Sequence, residues 1–143
     1  MIEYVKSDFI KSIAEELIEK HPDLAHIKEC EPSIAYMEAD YKKKKAGGVV
    51  YADCEKVKPK MREFMAYDYV ITAYMPNCED LSPNQWKILI YHELLHVGCK
   101  RDDDGSLVCK IRPHNIEDFH EVVDRFGLYW AEDNSVGDIM EGL

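Results

Sequence analysis

Between Ser82 and Gly98 the chain spells a helix with almost no wet side, and this stretch constrains most of what can be built around it. Ser82 offers an N-cap, Pro83 suits the first helical position, and Gln85 completes a capping box. Trp86, Ile88, Leu89, Ile90, Leu94, Leu95 and Val97 then spread apolar side chains nearly all round, and Gly98 is placed to end the helix. A helix of this kind has to be central and buried. Within it lies His92-Glu93-Leu94-Leu95-His96. Two histidines four apart stand one turn above each other on one face. Their imidazoles can grip one Zn2+ ion together, with Glu93 beside the metal-bound water as general base. That pattern points to metal-assisted hydrolysis, on a stiff element suited to a site of fixed geometry.

The remaining composition narrows the class. At 143 residues, 46% hydrophobic and 32% charged, the chain reads as one globular domain over residues 1–143. Its net charge of -10 disfavours a phosphate-binding surface, so no nucleic-acid partner is expected. The basic run 42–45, just before Gly47-Gly48, reads as a solvated loop. Five cysteines (Cys30, Cys54, Cys78, Cys99, Cys109) make an odd number with no CxxC pair. The N-terminus has no apolar signal segment and no stretch matches a membrane span. The expectation is a cytoplasmic protein with free thiols and no membrane partner. Cys99 and Cys109 could face each other across a hairpin, as reduced neighbours.

Periodicity supplies the other elements. Residues 5–20 read as an amphipathic helix, with Val5, Phe9, Ile13 and Leu17 joined by Ile10, Ala14 and Ile18, and closed by His21-Pro22. Residues 33–40 and 49–54 read as strands around the Gly47-Gly48 turn, while Pro59 breaks any regularity in 56–64. Residues 68–75, rich in β-branched and aromatic side chains, form the clearest strand. Residues 100–112 read as a hairpin turning at Asp102-Asp103-Asp104-Gly105, which lacks the spacing of a calcium loop. A last helix, capped by His114 or Asn115, carries the stripe Ile116, Phe119, Val122, Val123 and Phe126 and ends at Gly127. Leu128-Tyr129-Trp130 should pack back on the core, and the tail from Glu132 should be loosely held. The fold class is α+β.

A catalytic zinc takes three protein ligands and keeps one position open. His114 is favoured as the third, because the hairpin carries the chain out and back to where His96 ended a helix. His120 lies six residues on and should not share its face; Glu117 or Asp118 are the carboxylate alternatives. His21 and His26 have no positional reason to approach the motif. Asp118 is a candidate to orient a ligand histidine. Tyr129 and His120 are candidates for a second electrophile, and an edge strand within 68–76 for holding an extended peptide by strand addition.

The chain resembles the metallopeptidases of phages and prophages, which share H-E-L-x-H, a short hairpin and then H-D-x-x-D/E-F. Here these are His92-Glu93-Leu94-Leu95-His96 and His114-Asn115-Ile116-Glu117-Asp118-Phe119, with Asn115 in place of the usual Asp. Gly47-Gly48, Lys56-Val57, Leu81-Ser82 with Gln85, and Phe126-Gly127-Leu128-Tyr129-Trp130 extend the likeness over residues 30–130. The site is also similar to that of SprT-like proteases. The resemblance implies a zincin-like fold: a small mixed or antiparallel sheet on a central HExxH helix, with an N-terminal and a C-terminal helix. It implies Zn2+ held by His92, His96 and His114, Glu93 as the catalytic base, and a peptide or protein substrate. The alternative is a non-catalytic zinc-stabilised interaction module whose acidic surface docks a basic partner. A fourth protein ligand, such as Cys99 or Cys109, would favour that module.

Overall fold

A computed structural model describes residues 1–114 and 118–143. At the N-terminus a strand, β1 (Tyr4–Lys6), turns into a helix, α1 (Asp8–Lys20), at Ser7. The Ser7 hydroxyl accepts the Ile10 N–H at 3.1 Å, while the Ser7 N–H donates to Tyr36 O at 2.8 Å. The helix expected from residue 5 therefore loses its first turn to sheet pairing. Its buried stripe is Ile10, Ala14 and Leu17; Phe9 stays half exposed, edge-on to the Trp86 ring at 5.1 Å. A short helix, α2 (Ala25–Cys30), follows and had no periodic signal; Glu31 closes it at φ 52°.

The strand β2 (Ile34–Ala39) leads into a small hairpin, β3 (Lys44–Lys45) with β4 (Gly48–Val49). Next come β5 (Ala52–Lys56) and β6 (Tyr69–Tyr74). The four-stranded sheet runs β1-β2-β6-β5, with β2 parallel to β6 and both outer strands antiparallel. Alternation puts Tyr69, Ile71 and Ala73 on one face with Tyr36 and Cys54, and the core closes on this face. Two expectations change here. The segment 49–54 is not one strand: Val49 pairs with Lys44, and pairing to β6 starts at Ala52. The clearest strand is also not an edge. β6 is buried on both faces, which is why it reads as a nearly continuous apolar run, and β5 holds the edge.

The central helix α3 (Pro83–Leu95) forms as its sequence requires. Ser82 and Gln85 make the reciprocal capping box, and Ile88, Ile90 and Leu94 are completely buried. Each such side chain stabilises the fold by roughly 1.5–3 kcal/mol. It packs on α1 and on β5. Gly98 then lets the chain pass close to the returning strand: a Cβ there would sit 3.4 Å from Lys110 O, and the Gly98 N–H donates to that same carbonyl. The hairpin β7 (Lys100–Arg101) and β8 (Leu107–Val108) turns at Gly105, φ 84°.

The last helix, α4 (His120–Phe126), starts later than expected. His114 is not its cap. Phe119 is, in extended backbone at ψ 144°, and Asn115 and Ile116 lie outside the described residues. Trp130 does pack back on the core, whereas Tyr129 is 73% exposed. The acidic tail is tied down rather than loose. Val136 and Ile139 are buried, Lys87 pairs with Asp138 at 2.8 Å, and Arg125 donates to Ile139 O at 2.8 Å. Among the described residues no helix is long and apolar enough to cross a membrane.

Ser82→Ala removes half of the capping box on the helix that the core is built around. The urea midpoint should fall by the equivalent of about 1 kcal/mol with unchanged m-value, and an unchanged midpoint would show the cap to be idle.

Candidate metal centre

His92 sits in the last turn of α3, His96 caps its C-terminus, and His114 arrives after the hairpin. Their ligand nitrogens lie within 4.8 Å of one another. The Nε2 atoms of His92 and His114 face each other at 3.0 Å. Two nitrogens bound to one tetrahedral ion at about 2.0–2.1 Å stand roughly 3.3 Å apart, so the spacing suits a shared cation. The other side of two of the rings is already committed. His92 Nδ1 meets Asp118 Oδ1 at 2.5 Å, and His96 Nδ1 meets Arg112 O at 2.7 Å. A carboxylate and a carbonyl can only accept, so both Nδ1 atoms carry a proton, and in the neutral ring Nε2 is the nitrogen left with a lone pair for a cation.

The backbone that brings His114 in is short and well bonded. Arg112 N–H donates to His96 O at 2.8 Å, so the strand carrying His114 is stitched to the end of α3. Phe119, wholly buried, lies under all three rings with centroids 5.0–5.2 Å away. The Arg112 guanidinium covers Phe119 at 4.6 Å. Asp118 accepts from His92, from the Phe119 N–H at 2.7 Å and from Trp130 Nε1 at 2.7 Å. Burial alone would raise its carboxyl; the hydrogen bonds from His92, Trp130 and Phe119 outweigh this and hold it below the usual range.

Electrostatics favour the neutral ring at His96 and His114 and raise the proton affinity of His92. Burial pushes His96 down to about 4, with His92 and His114 adding to the effect. Burial and the neighbouring His92 also lower His114. Burial pulls His92 down too, but the Asp118 hydrogen bond and the Glu93 and Asp118 charges more than reverse it. Glu93 is 3% exposed, and burial pushes its carboxyl up to about 7. Its Oε2 stands 3.9 Å from His92 Nε2. All four side chains open onto one cleft of about 440 Å³, walled by Val49, Ala52, Cys54, Leu89 and Trp130, with Lys45 and Asp53 beside them.

The other candidates fall elsewhere. His120 is exposed and outside the histidine group, Tyr129 does not line the cleft, and Glu117 lies outside the described residues. Cys99 and Cys109 do not join the histidines, and all five cysteines are free. His26 approaches the motif after all, though not as a ligand: its Nε2 meets Val97 O at 2.7 Å and pins the turn after His96. His21 stacks on Tyr91 at 4.7 Å. The Asp102–Asp104 turn is solvated, Asp104 capping the Ser106 N–H. Asp53 and Cys54 gave no signal, because their place in the cleft depends on β5 pairing with β6.

A comparison with models of protein families matches residues 2–143 to the one described as "Putative phage metallopeptidase". No curated protein and no solved structure matches the chain.

The buried Glu93 gives a pH-dependent test. Its carboxyl moves from an ordinary 4.5 to about 7 in the fold. Across that window the native state keeps a proton that the unfolded chain has released, so stability falls as pH rises through it. In chelator-treated protein, Glu93→Gln should therefore be more stable than the native sequence at pH 8 by on the order of 2–3 kcal/mol, an advantage that fades towards pH 4.5. Urea unfolding at both pH values measures this; equal midpoints at pH 8 would refute the burial effect.

Proposed function

The chain belongs to this phage metallopeptidase family, and from that premise we propose that it is a zinc-dependent hydrolase cutting peptide bonds. In this reading residues 1–143 form one catalytic domain of zincin-like arrangement, with His92, His96 and His114 as zinc ligands and Glu93 as general base. The observation that carries it is the convergence of three Nε2 lone pairs, two of them forced by Asp118 and Arg112 O, beside a buried carboxylate. The donor set suits zinc, and three ligands without a fourth among the described residues suit a catalytic site over a structural one. Among the described residues no fourth protein ligand joins the three histidines to favour the interaction-module alternative.

Bound zinc would supply Lewis acidity, making water acidic enough to attack near pH 7 and polarising the scissile carbonyl. The protein supplies the rest. Glu93, with its carboxyl raised to about 7, is poised to take a proton from the attacking water and return it to the leaving amine nitrogen. Asp118 and Arg112 O hold the imidazoles in one tautomer, and Phe119 keeps their rings from tilting. The substrate backbone is proposed to lie on β5. The bonds Tyr74 N–H to Tyr51 O and Val57 N–H to Asp68 O turn the odd-numbered residues towards β6. That leaves the N–H and C=O groups of Ala52 and Cys54 open along the cleft for an added strand. The five free thiols suit a reducing cytoplasm.

Protein purified without added zinc should contain close to one zinc per chain, and His114→Ala should lose it; full retention would remove His114 from the site. Glu93→Gln should keep its zinc while hydrolysis of a labelled unfolded protein falls by about 10²-fold or more. Undiminished turnover would end the general-base assignment.

A further inference from the structure

Residues 42–62 hold eight of the chain's 18 Lys and Arg but two of its 28 Asp and Glu. A chain of net charge -10 therefore concentrates its positive charge in one stretch. Part of that stretch lines the cleft, Lys45 and Val49 to Cys54, and the rest continues along the chain on either side as the β3–β4 hairpin, the end of β5 and the loop after it. Two of the eight cations are used internally. Lys43 is held by Asp53 at 2.5 Å and reaches Tyr74 OH at 3.2 Å, fastening the hairpin to the sheet. Arg62 pairs with Asp68 at 2.8 Å. The other six, Lys42, Lys44, Lys45, Lys56, Lys58 and Lys60, are exposed and make no ion pair among the described residues. Lys45 lines the cleft itself, beside His92, His96 and His114. Lys56 ends the open strand, two residues beyond Cys54.

We propose that the segment this protein binds and cuts is acidic, with Asp or Glu side chains flanking the scissile bond, steered and held by Lys45 on one side and by Lys56 and its neighbours on the other. The inference rests on the peptidase reading for the cut, while the binding preference stands on charge placement alone. At about 3.3 Å per residue, a peptide paired along Ala52 and Cys54 reaches Lys56 within two or three residues. Alternate side chains of an added strand then pass the lysines within a Debye length of about 8 Å at physiological salt. The same placement argues against a nucleic acid. The open edge offers main-chain N–H and C=O groups that a peptide backbone complements and a phosphodiester chain does not. The rest of the chain carries 26 of the 28 Asp and Glu and would repel a long polyanion leaving the cleft.

The test reads binding without turnover. Zinc-loaded Glu93→Gln protein is titrated against three fluorescent probes: an extended peptide with Glu flanking an apolar centre, the same peptide with Gln for Glu, and a single-stranded oligonucleotide of similar length. The Glu peptide should bind roughly tenfold more tightly than the Gln peptide at 50 mM salt, with the gap closing near 500 mM. Lys45→Gln with Lys56→Gln should remove most of that gap, weakening the Glu peptide several-fold more than the Gln peptide. Equal affinity for the two peptides overturns the proposal, as does tighter binding of the oligonucleotide, which would make the strip a nucleic-acid surface. If native protein cleaves Glu and Gln peptides with the same kcat/KM, the peptidase reading stands and the charge preference fails. If the preference appears without cleavage by native protein, the peptidase reading fails instead.

Discussion

The Asp118 carboxylate is the tie on which the centre depends. It ties His92 on the central helix to Trp130 beyond α4, and its third bond, from the adjacent Phe119 amide, fixes it at the N-terminal flank of that helix. Each bond is made at a buried site, where a missing partner would cost about 1–3 kcal/mol, so the three acceptor contacts stand or fall together. Their joint result is chemical. With His92 Nδ1 bound to a carboxylate, its Nε2 is the nitrogen turned to the cleft, and Phe119 is placed to carry all three rings on one apolar floor. The geometry for gripping a cation is thus set by groups that never touch it.

What the sequence made legible follows from the range of the interactions. The central helix could be read because its signals are local: a capping box within four residues and apolar side chains at every angle. The histidine pair came with it, since helical geometry alone aligns residues four apart. His114 was reachable because a hairpin with an Asp-Gly turn returns the chain to its starting point, and the Arg112–His96 backbone bond realises that return. The features that escaped are set by tertiary partners. Tyr4–Lys6 leave the helical period because β2 is there to pair with them. Helix α4 starts at His120, and not at His114, with Phe119 as an extended cap whose N–H bonds to Asp118. β5 begins at Ala52 because register with β6 decides it, and no local pattern marks that residue. For the same reason Asp53, Cys54 and Lys45 were invisible as neighbours of the centre.

A buried Glu93 works against stability, since its carboxyl must either keep a proton or sit charged in a dry place. The rest of α3 more than offsets that cost, with Ile88, Ile90 and Leu94 wholly enclosed. A fold that merely needed a cation to hold it together would have no use for this carboxylate, because His92, His96 and His114 already reach one another without it. Its position beside His92 Nε2, at the wall of an open cleft, makes sense as a group that exchanges a proton there.

The charge pattern and the sheet topology lead to one surface by separate routes. Order β1-β2-β6-β5 leaves the outer edge of β5 unpaired, and Ala52 to Cys54 of that strand line the cleft that the histidines face, so the proposed main-chain recognition would fall where the centre opens. Lys45 lines the same cleft and Lys56 ends the same strand, while the Lys43–Asp53 pair fastens the hairpin that carries Lys45. Main-chain pairing alone accepts any extended peptide, since every residue has the same backbone groups. Selectivity must come from side chains beside that edge, and beyond the apolar walls of the cleft the freest of these are cationic. An acidic body with a basic rim also repels acidic chains everywhere except along the rim, so long-range attraction and short-range pairing would deliver a substrate to the same strand.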